Sequence, residues 1–287
     1  MFHTLLRIPG IIPAVMALAF IVGGAFTRTA SAQSLWMPRD HESAVMLELL
    51  KPSFDTVDED FTTFSGFLGF RSTPKSNASI MLEASMARIG YDEFDPFSGI
   101  TSSVSSFTLG DIYLGLEYGN SAGPFFGEIG VRLPTSSDSE GDARLAGLLS
   151  DLTRWEAFLS KTVTFQGAGN FRKVAPNGLF YRLRFSPTFA VPTENSFGGN
   201  DPELFAVYSG QVGVEWPQAR VGVGLVGRTV ITEGDLSFSE RTETQFDGHV
   251  DFGAGSFRPG VEVKVPLDDQ LNDFTPVTVG VSFSYSH

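Results

Sequence analysis

The chain has 287 residues, no cysteine, 27 Phe, 31 Gly and 20 Lys+Arg against 33 Asp+Glu, a formal net charge of -13. A composition that is 42% hydrophobic and 13% aromatic excludes a chain unable to build a core. The missing thiol excludes disulfide staples and thiolate metal sites, and the acidic balance excludes a phosphate-gripping nucleic-acid binder.

Residues 1–32 read as a cleaved secretory signal peptide. Arg7 supplies the positive n-region, Ile11 to Phe26 the apolar stretch, and Ala30-Ser31-Ala32 the small-residue cleavage site, making Gln33 the first mature residue. A membrane anchor is the competing reading. Pro9, Pro13 and the Gly23-Gly24 pair interrupt the run, which falls short of the ~20 apolar residues a span needs. Cleavage removes Arg7 and Arg28 and no acid, so the 20 basic residues fall to 18 against 33 acids. With no cysteine to lipidate, a lipoprotein anchor is excluded.

Residues 33–287 are expected to form one domain built on a period of two. Alternating segments are predicted near 43–51, 61–72, 79–91, 107–119, 124–134, 152–166, 179–190, 204–216, 220–231, 245–256, 260–266 and 275–287. In the fourth, Ile112, Leu114, Leu116 and Tyr118 oppose Asp111, Tyr113, Gly115 and Glu117. In the seventh, Leu179, Tyr181, Leu183 and Phe185 oppose Arg182, Arg184 and Ser186. In the last, Val277, Val279, Val281, Phe283 and Tyr285 oppose Thr278, Gly280, Ser282 and Ser284. The sixth is the least regular, since Arg154 to Phe171 reads as one long strand or as a strand with a bulge.

Tight turns are predicted at 120–123, 175–178, 217–219 and 258–260, each rich in Pro, Gly or Asn. Longer connections alternate with them at 52–60, 92–106, 135–151, 191–203, 232–244 and 267–274. This rhythm predicts a closed antiparallel transmembrane β-barrel of about twelve strands, with short periplasmic turns and longer acidic extracellular loops. In hydrocarbon every backbone N–H and C=O must pair internally, and a chain without apolar helices satisfies that only as a closed sheet. The long loops collect acids such as Asp92, Asp201, Glu233 and Asp268, whereas Lys75, Arg172, Lys173, Arg220 and Arg258 fall on the short-turn side. Trp36, Tyr91, Tyr118, Tyr181, Trp216 and Tyr285 suit interfacial girdles.

The inward parity supplies the candidate lumen lining: Glu83, Asp111, Glu117, Glu128, Arg132, Arg182, Arg184, Glu215, Arg228, His249, Asp251, Glu262 and Lys264. Such charges can line a narrow polar channel, and they can also pair and close it.

Gly110-Asp111-Ile112-Tyr113-Leu114-Gly115-Leu116-Glu117-Tyr118, followed by Gly130-Val131-Arg132-Leu133-Pro134-Thr135, resembles the GD-x-x-LGL-x-Y and G-x-x-LPTG pattern of the MetA-pathway phenol-degradation family of outer-membrane transporters. The likeness covers roughly 105–287. It implies a barrel of this size that passes small molecules, aromatic ones included. Ser136 stands where that pattern often has Gly, and the chain ends in His287, not in the Phe or Trp usual in such barrels.

Catalytic motifs are weak. Gly119 to Gly123 matches G-x-S-x-G, but a nucleophile elbow needs a helix after it, and a strand follows at Pro124. Gly222 to Gly227 matches G-x-G-x-x-G with no helix after it, so its glycines are expected to relieve crowding in a strand. Asp138 to Asp142 offers oxygens to a cation but lacks the closing bidentate Glu. His249, between Asp247 and Asp251, is expected to be a solvated or ion-paired lumen residue. The sequence therefore predicts an outer-membrane channel for small solutes, hydrophobic or aromatic ones included, without cofactor, metal or enzymatic activity. An occluded structural or adhesion barrel and a lipid-modifying enzyme are the alternatives. The expected partners are outer-membrane lipid and lipopolysaccharide, the barrel-assembly machinery and an unidentified small solute, with no nucleic acid.

Overall fold

A computed structural model describes residues 43–54, 61–75, 77–95, 100–119, 123–136, 141–193, 201–233, 237–253 and 256–286. The predicted signal peptide, Trp36, Ser121 and the acids Asp138 and Glu140 lie outside the described residues.

The wall is built from β1 (Ala44–Ser53), β2 (Thr62–Lys75), β3 (Ala78–Asp95), β4 (Ile100–Leu109), β5 (Ile112–Gly119), β6 (Phe125–Leu133), β7 (Thr162–Val174), β8 (Leu179–Pro192), β9 (Glu203–Glu215), β10 (Ala219–Val230), β11 (Thr242–Phe252), β12 (Phe257–Pro266) and β13 (Val277–Ser286). Neighbouring strands pair antiparallel, and with β1 joined to β13 and β2 and β2 joined to β3 the sheet closes on itself. The upper half of β3 pairs with β4 and its lower half with β5, so these two stretches share one position in the wall. The result is a twelve-stranded antiparallel β-barrel.

The two parities separate as the alternation requires. Leu116, Ile129, Leu183 and Leu225 are exposed on the outside, Ile129 by 64%, whereas Glu83, Arg132 and Arg182 are buried to within 1% on the inside. An apolar belt this extensive is stable against acyl chains and would be an aggregation surface in water.

One turn shows how local chemistry sets the ends. Between β7 and β8, Gly178 has φ +85°, its N–H donates to Ala175, and Ala175 N–H donates to Leu179. A side chain there would be strained in that left-handed conformation and would also strike the Glu215 carbonyl.

Several sequence expectations are corrected. The sixth predicted segment, 152–166, is realised as β7 at Thr162–Val174, because the residues before it leave the wall and enter the barrel. The connection expected at 92–106 is largely strand, with β3 running to Asp95 and β4 starting at Ile100. Residues 258–260 lie within β12, which begins at Phe257, and Pro259 sits near the strand start where proline is tolerated. Arg220 and Arg258, placed by sequence among the short-turn charges, point inward and are buried. Tyr91 does not belong to a girdle: it packs on Phe61 and donates to Asp142 at 3.1 Å, over the inserted segment.

Candidate functional site

After β6 the chain does not return directly to the wall. Residues 141–161 lie in the lumen, carrying helix α1 (Gly141–Leu148) and a 3-10 turn at Trp155–Phe158. The helix presents Ala143 and Ala146, both wholly buried, to Ile89 on β3. Phe158 packs with Leu50, Phe67 and Ala87 of the wall, and Trp155 packs edge-on against Phe205 with ring centroids 4.6 Å apart. Small residues on the helix permit this approach: at Gly147 a Cβ would sit 2.5 Å from the Phe158 ring. The segment thus acts as a plug with an apolar face matched to apolar inward residues of β1, β2, β3 and β9.

The break between β4 and β5 holds the plug. Asp111 N–H donates to the Ala157 carbonyl at 2.7 Å, and Gly110 N–H donates to Ser85 at 2.8 Å. A Cβ on Gly110 would lie 2.5 Å from that same Ala157 carbonyl, so only glycine lets the plug backbone this close. Asp111 Oδ1 accepts the N–H groups of Thr135 and Ser136, each at 2.9 Å, and Thr135 Oγ1 donates to the Gly110 carbonyl. The Gly-Asp and Pro-Thr pairs of the sequence are therefore one clamp, fixing the point where the chain leaves the wall.

Charges secure the rest. Arg154 of the plug bonds Glu48 of β1 and Asp151, its Nε donating to Asp151 at 2.9 Å, and its Nη1 lies 3.6 Å from Glu83 of β3. Its guanidinium also stacks 3.7 Å from the Phe67 ring centroid. Lys264 of β12 donates to Asp151 at 2.7 Å and to Glu48 at 3.5 Å, with Glu262 at 3.6 Å. Burial alone would raise the Asp151 carboxyl, but Lys264 and Arg154 hold it well below the usual carboxylate range. Glu156 is raised by burial, with Arg132 opposing.

The remaining expected residues sit on the inner face and pair among themselves. Arg132 donates to Glu83 at 2.8 Å and to the Asp111 carbonyl at 3.0 Å. Glu128 receives Arg184 at 2.7 Å and the Tyr113 hydroxyl at 2.6 Å. The Tyr113 ring lies across Gly130 and Gly115, where Cβ atoms would come within 2.3 and 2.6 Å of it. Glu117 pairs with Arg71, and Glu215 pairs with Arg172 at 3.1 Å and Arg220 at 3.3 Å. Arg220 also faces Asp251 at 3.6 Å, and Arg182 stacks on Phe180 at 4.5 Å. His249 fills the space over Gly222 and forms no hydrogen bond among the described residues. Sequence reading missed Glu48, Arg71, Asp151, Arg154, Glu156, Arg220 and Asp247. Glu48 and Arg71 share the inward parity of their strands and were within reach of the alternation, whereas Asp151, Arg154 and Glu156 lie on the plug, for which a strand period has no signal.

Above the plug, among the long loops, lies a cavity of about 240 Å³. Leu148, Leu152 and Leu159 of the inserted segment and Ala190 of β8 form its apolar walls, with Trp155 at one side. Its polar edge carries Asp201, Glu203, Glu243 and Arg228. Arg228 pairs with Glu243 and stacks 4.0 Å from the Trp155 ring. A pocket of about 20 Å³ lies below, between Asp151, Lys264, Arg184 and Val226.

A closed barrel with a lipid-facing exterior and an inserted segment defines the architecture of outer-membrane β-barrels. Among solved structures, the chain is similar to an outer-membrane channel from Pseudomonas putida F1, with 10% identity, 88% of this chain and 99% of that chain covered, and a TM-score of 0.58. It is also similar to the NanC porin, with 8% identity, 85% and 98% covered and a TM-score of 0.49. The translocator domain of the autotransporter NalP from Neisseria meningitidis gives 11% identity, 85% and 88% covered and a TM-score of 0.49. At these identities the likeness is one of fold. No family model matches the chain, and no curated protein matches it.

Proposed function

We propose that the protein is an outer-membrane channel for small solutes, apolar or aromatic ones included, that enter at the long-loop end and pass a lumen narrowed by the inserted segment. The observation that carries this reading is the sequence of spaces along the plug. An apolar cavity of about 240 Å³ lies at its upper side and a small polar pocket below it. A cavity of about 150 Å³ already accommodates a benzene ring, so the upper one has room for a small aromatic solute. The resemblance of the Gly110 to Thr135 stretch to outer-membrane transporters supports the same reading.

A second reading, an occluded structural barrel, draws on the cross-lumen bonds of Arg154 to Glu48 and of Lys264 to Asp151. Planar-bilayer conductance separates the two. The channel reading predicts small current steps from the folded protein and larger steps when residues 141–160 are replaced by a short Gly-Ser linker. Absence of steps from the intact protein overturns it and leaves the occluded barrel.

A further inference from the structure

The cavity at the long-loop end is not electrically neutral. Three carboxylates border it, those of Asp201, Glu203 and Glu243, against the single guanidinium of Arg228. Arg228 is committed to Glu243, so Asp201 and Glu203 stand at the edge of an apolar space with no ion pair among the described residues. Among the described residues, Arg228 is the one cation that lines the cavity.

A second feature points to an occupant. The Trp155 side chain lines the cavity, and its indole N–H is buried without an acceptor among the described residues. A buried donor left unmade costs on the order of 1–3 kcal/mol, and an oxygen or ring face of a ligand relieves it. Phe205 packs edge-on against the indole, and the Arg228 guanidinium stacks 4.0 Å from its ring.

Taken together, an apolar body fits the leucine walls and a positive charge fits the unneutralised carboxylates. We infer that this cavity binds small organic cations: an aromatic or short aliphatic body bearing an ammonium group that pairs with Glu203 and Asp201. Neutral compounds of the same shape would gain only the apolar contact, and anions would be repelled. This inference rests on the proposed reading of the cavity as a solute site and deepens it by naming the charge of the solute.

The test uses the full barrel in nonionic detergent with Trp155 as the sole tryptophan, through Trp36→Phe and Trp216→Phe. Trp155 fluorescence is titrated with 2-phenylethylamine, 2-phenylethanol and phenylacetate, which differ in charge and little in shape. The expected order is amine first, alcohol weaker by about tenfold or more, and phenylacetate weakest. In Glu203→Gln combined with Asp201→Asn, the amine is expected to fall to the affinity of the alcohol while the alcohol is unchanged. Equal binding of amine and alcohol in the unaltered carboxylate background, or preference for phenylacetate, overturns the inference and leaves the cavity as a solute site. Failure of all three to perturb Trp155 overturns the solute site itself, and the inference with it.

Discussion

Arg154 is bonded to Glu48 and Asp151, lies within 3.6 Å of Glu83 and stacks on Phe67, with almost no exposure. Removing one member of a buried ion network typically costs about 3–5 kcal/mol, because the remaining charges stay desolvated. Arg154→Met is therefore expected to loosen the plug by about that amount. The check is single-channel recording together with proteolysis within 141–160: larger steps and faster cleavage are expected, with the barrel itself intact. Asp151 sets the acid limit. Because Lys264 and Arg154 depress its carboxyl below the ordinary value of 3.8, its contribution is complete above about pH 4 and is lost only as pH falls through the depressed value. Asp151 itself is accordingly expected to add no conductance step from about pH 5 to 8, so a step there belongs to a raised carboxyl such as Glu156. A conductance step near neutral pH would show that another group controls the plug.

At the scale of elements, the plug is fixed by its two ends. The Gly110-Asp111 break and the Pro134-Thr135 exit meet through Asp111 Oδ1 and the Thr135 hydroxyl. Asp111→Ala removes the acceptor for two N–H groups and is expected to free the start of the inserted segment, worth about 1–3 kcal/mol. Amide hydrogen exchange should show it as lost protection over residues 135–160, with β5 and β6 unchanged. Equal protection in both proteins would assign the clamp no role. This is also where sequence reading stopped. The alternation located β8, β10 and β13 because each side chain there faces either lipid or lumen. The plug answers to neither: Leu148, Trp155 and Phe158 contact the inner wall at positions set by tertiary packing, so 152–166 looked like an irregular strand. Its clamp was legible as a motif, but not as a clamp, because Asp111 and Thr135 meet only after β5 and β6 have paired.

At the scale of the molecule, the period of two was enough to give the barrel, its closure and most of the inward charges. The partners of those charges were not legible. Glu83 meets Arg132, 49 positions away, across the inner wall, and Glu48 meets Arg154, 106 positions away, because the inserted segment folds into the lumen. The account rests on one physical claim, that the apolar parity faces lipid and the polar parity faces the lumen. The absence of native cysteine makes it directly measurable by single spin labels. Cysteine is placed in turn at Leu183, Phe185 and Phe189, and at Ser186, Thr188 and Ala190, of β8 in barrels reconstituted into bilayers. High accessibility to lipid-dissolved oxygen is predicted at the first three positions and low accessibility at the second three. Uniform accessibility along the strand, or the opposite phase, would contradict the account.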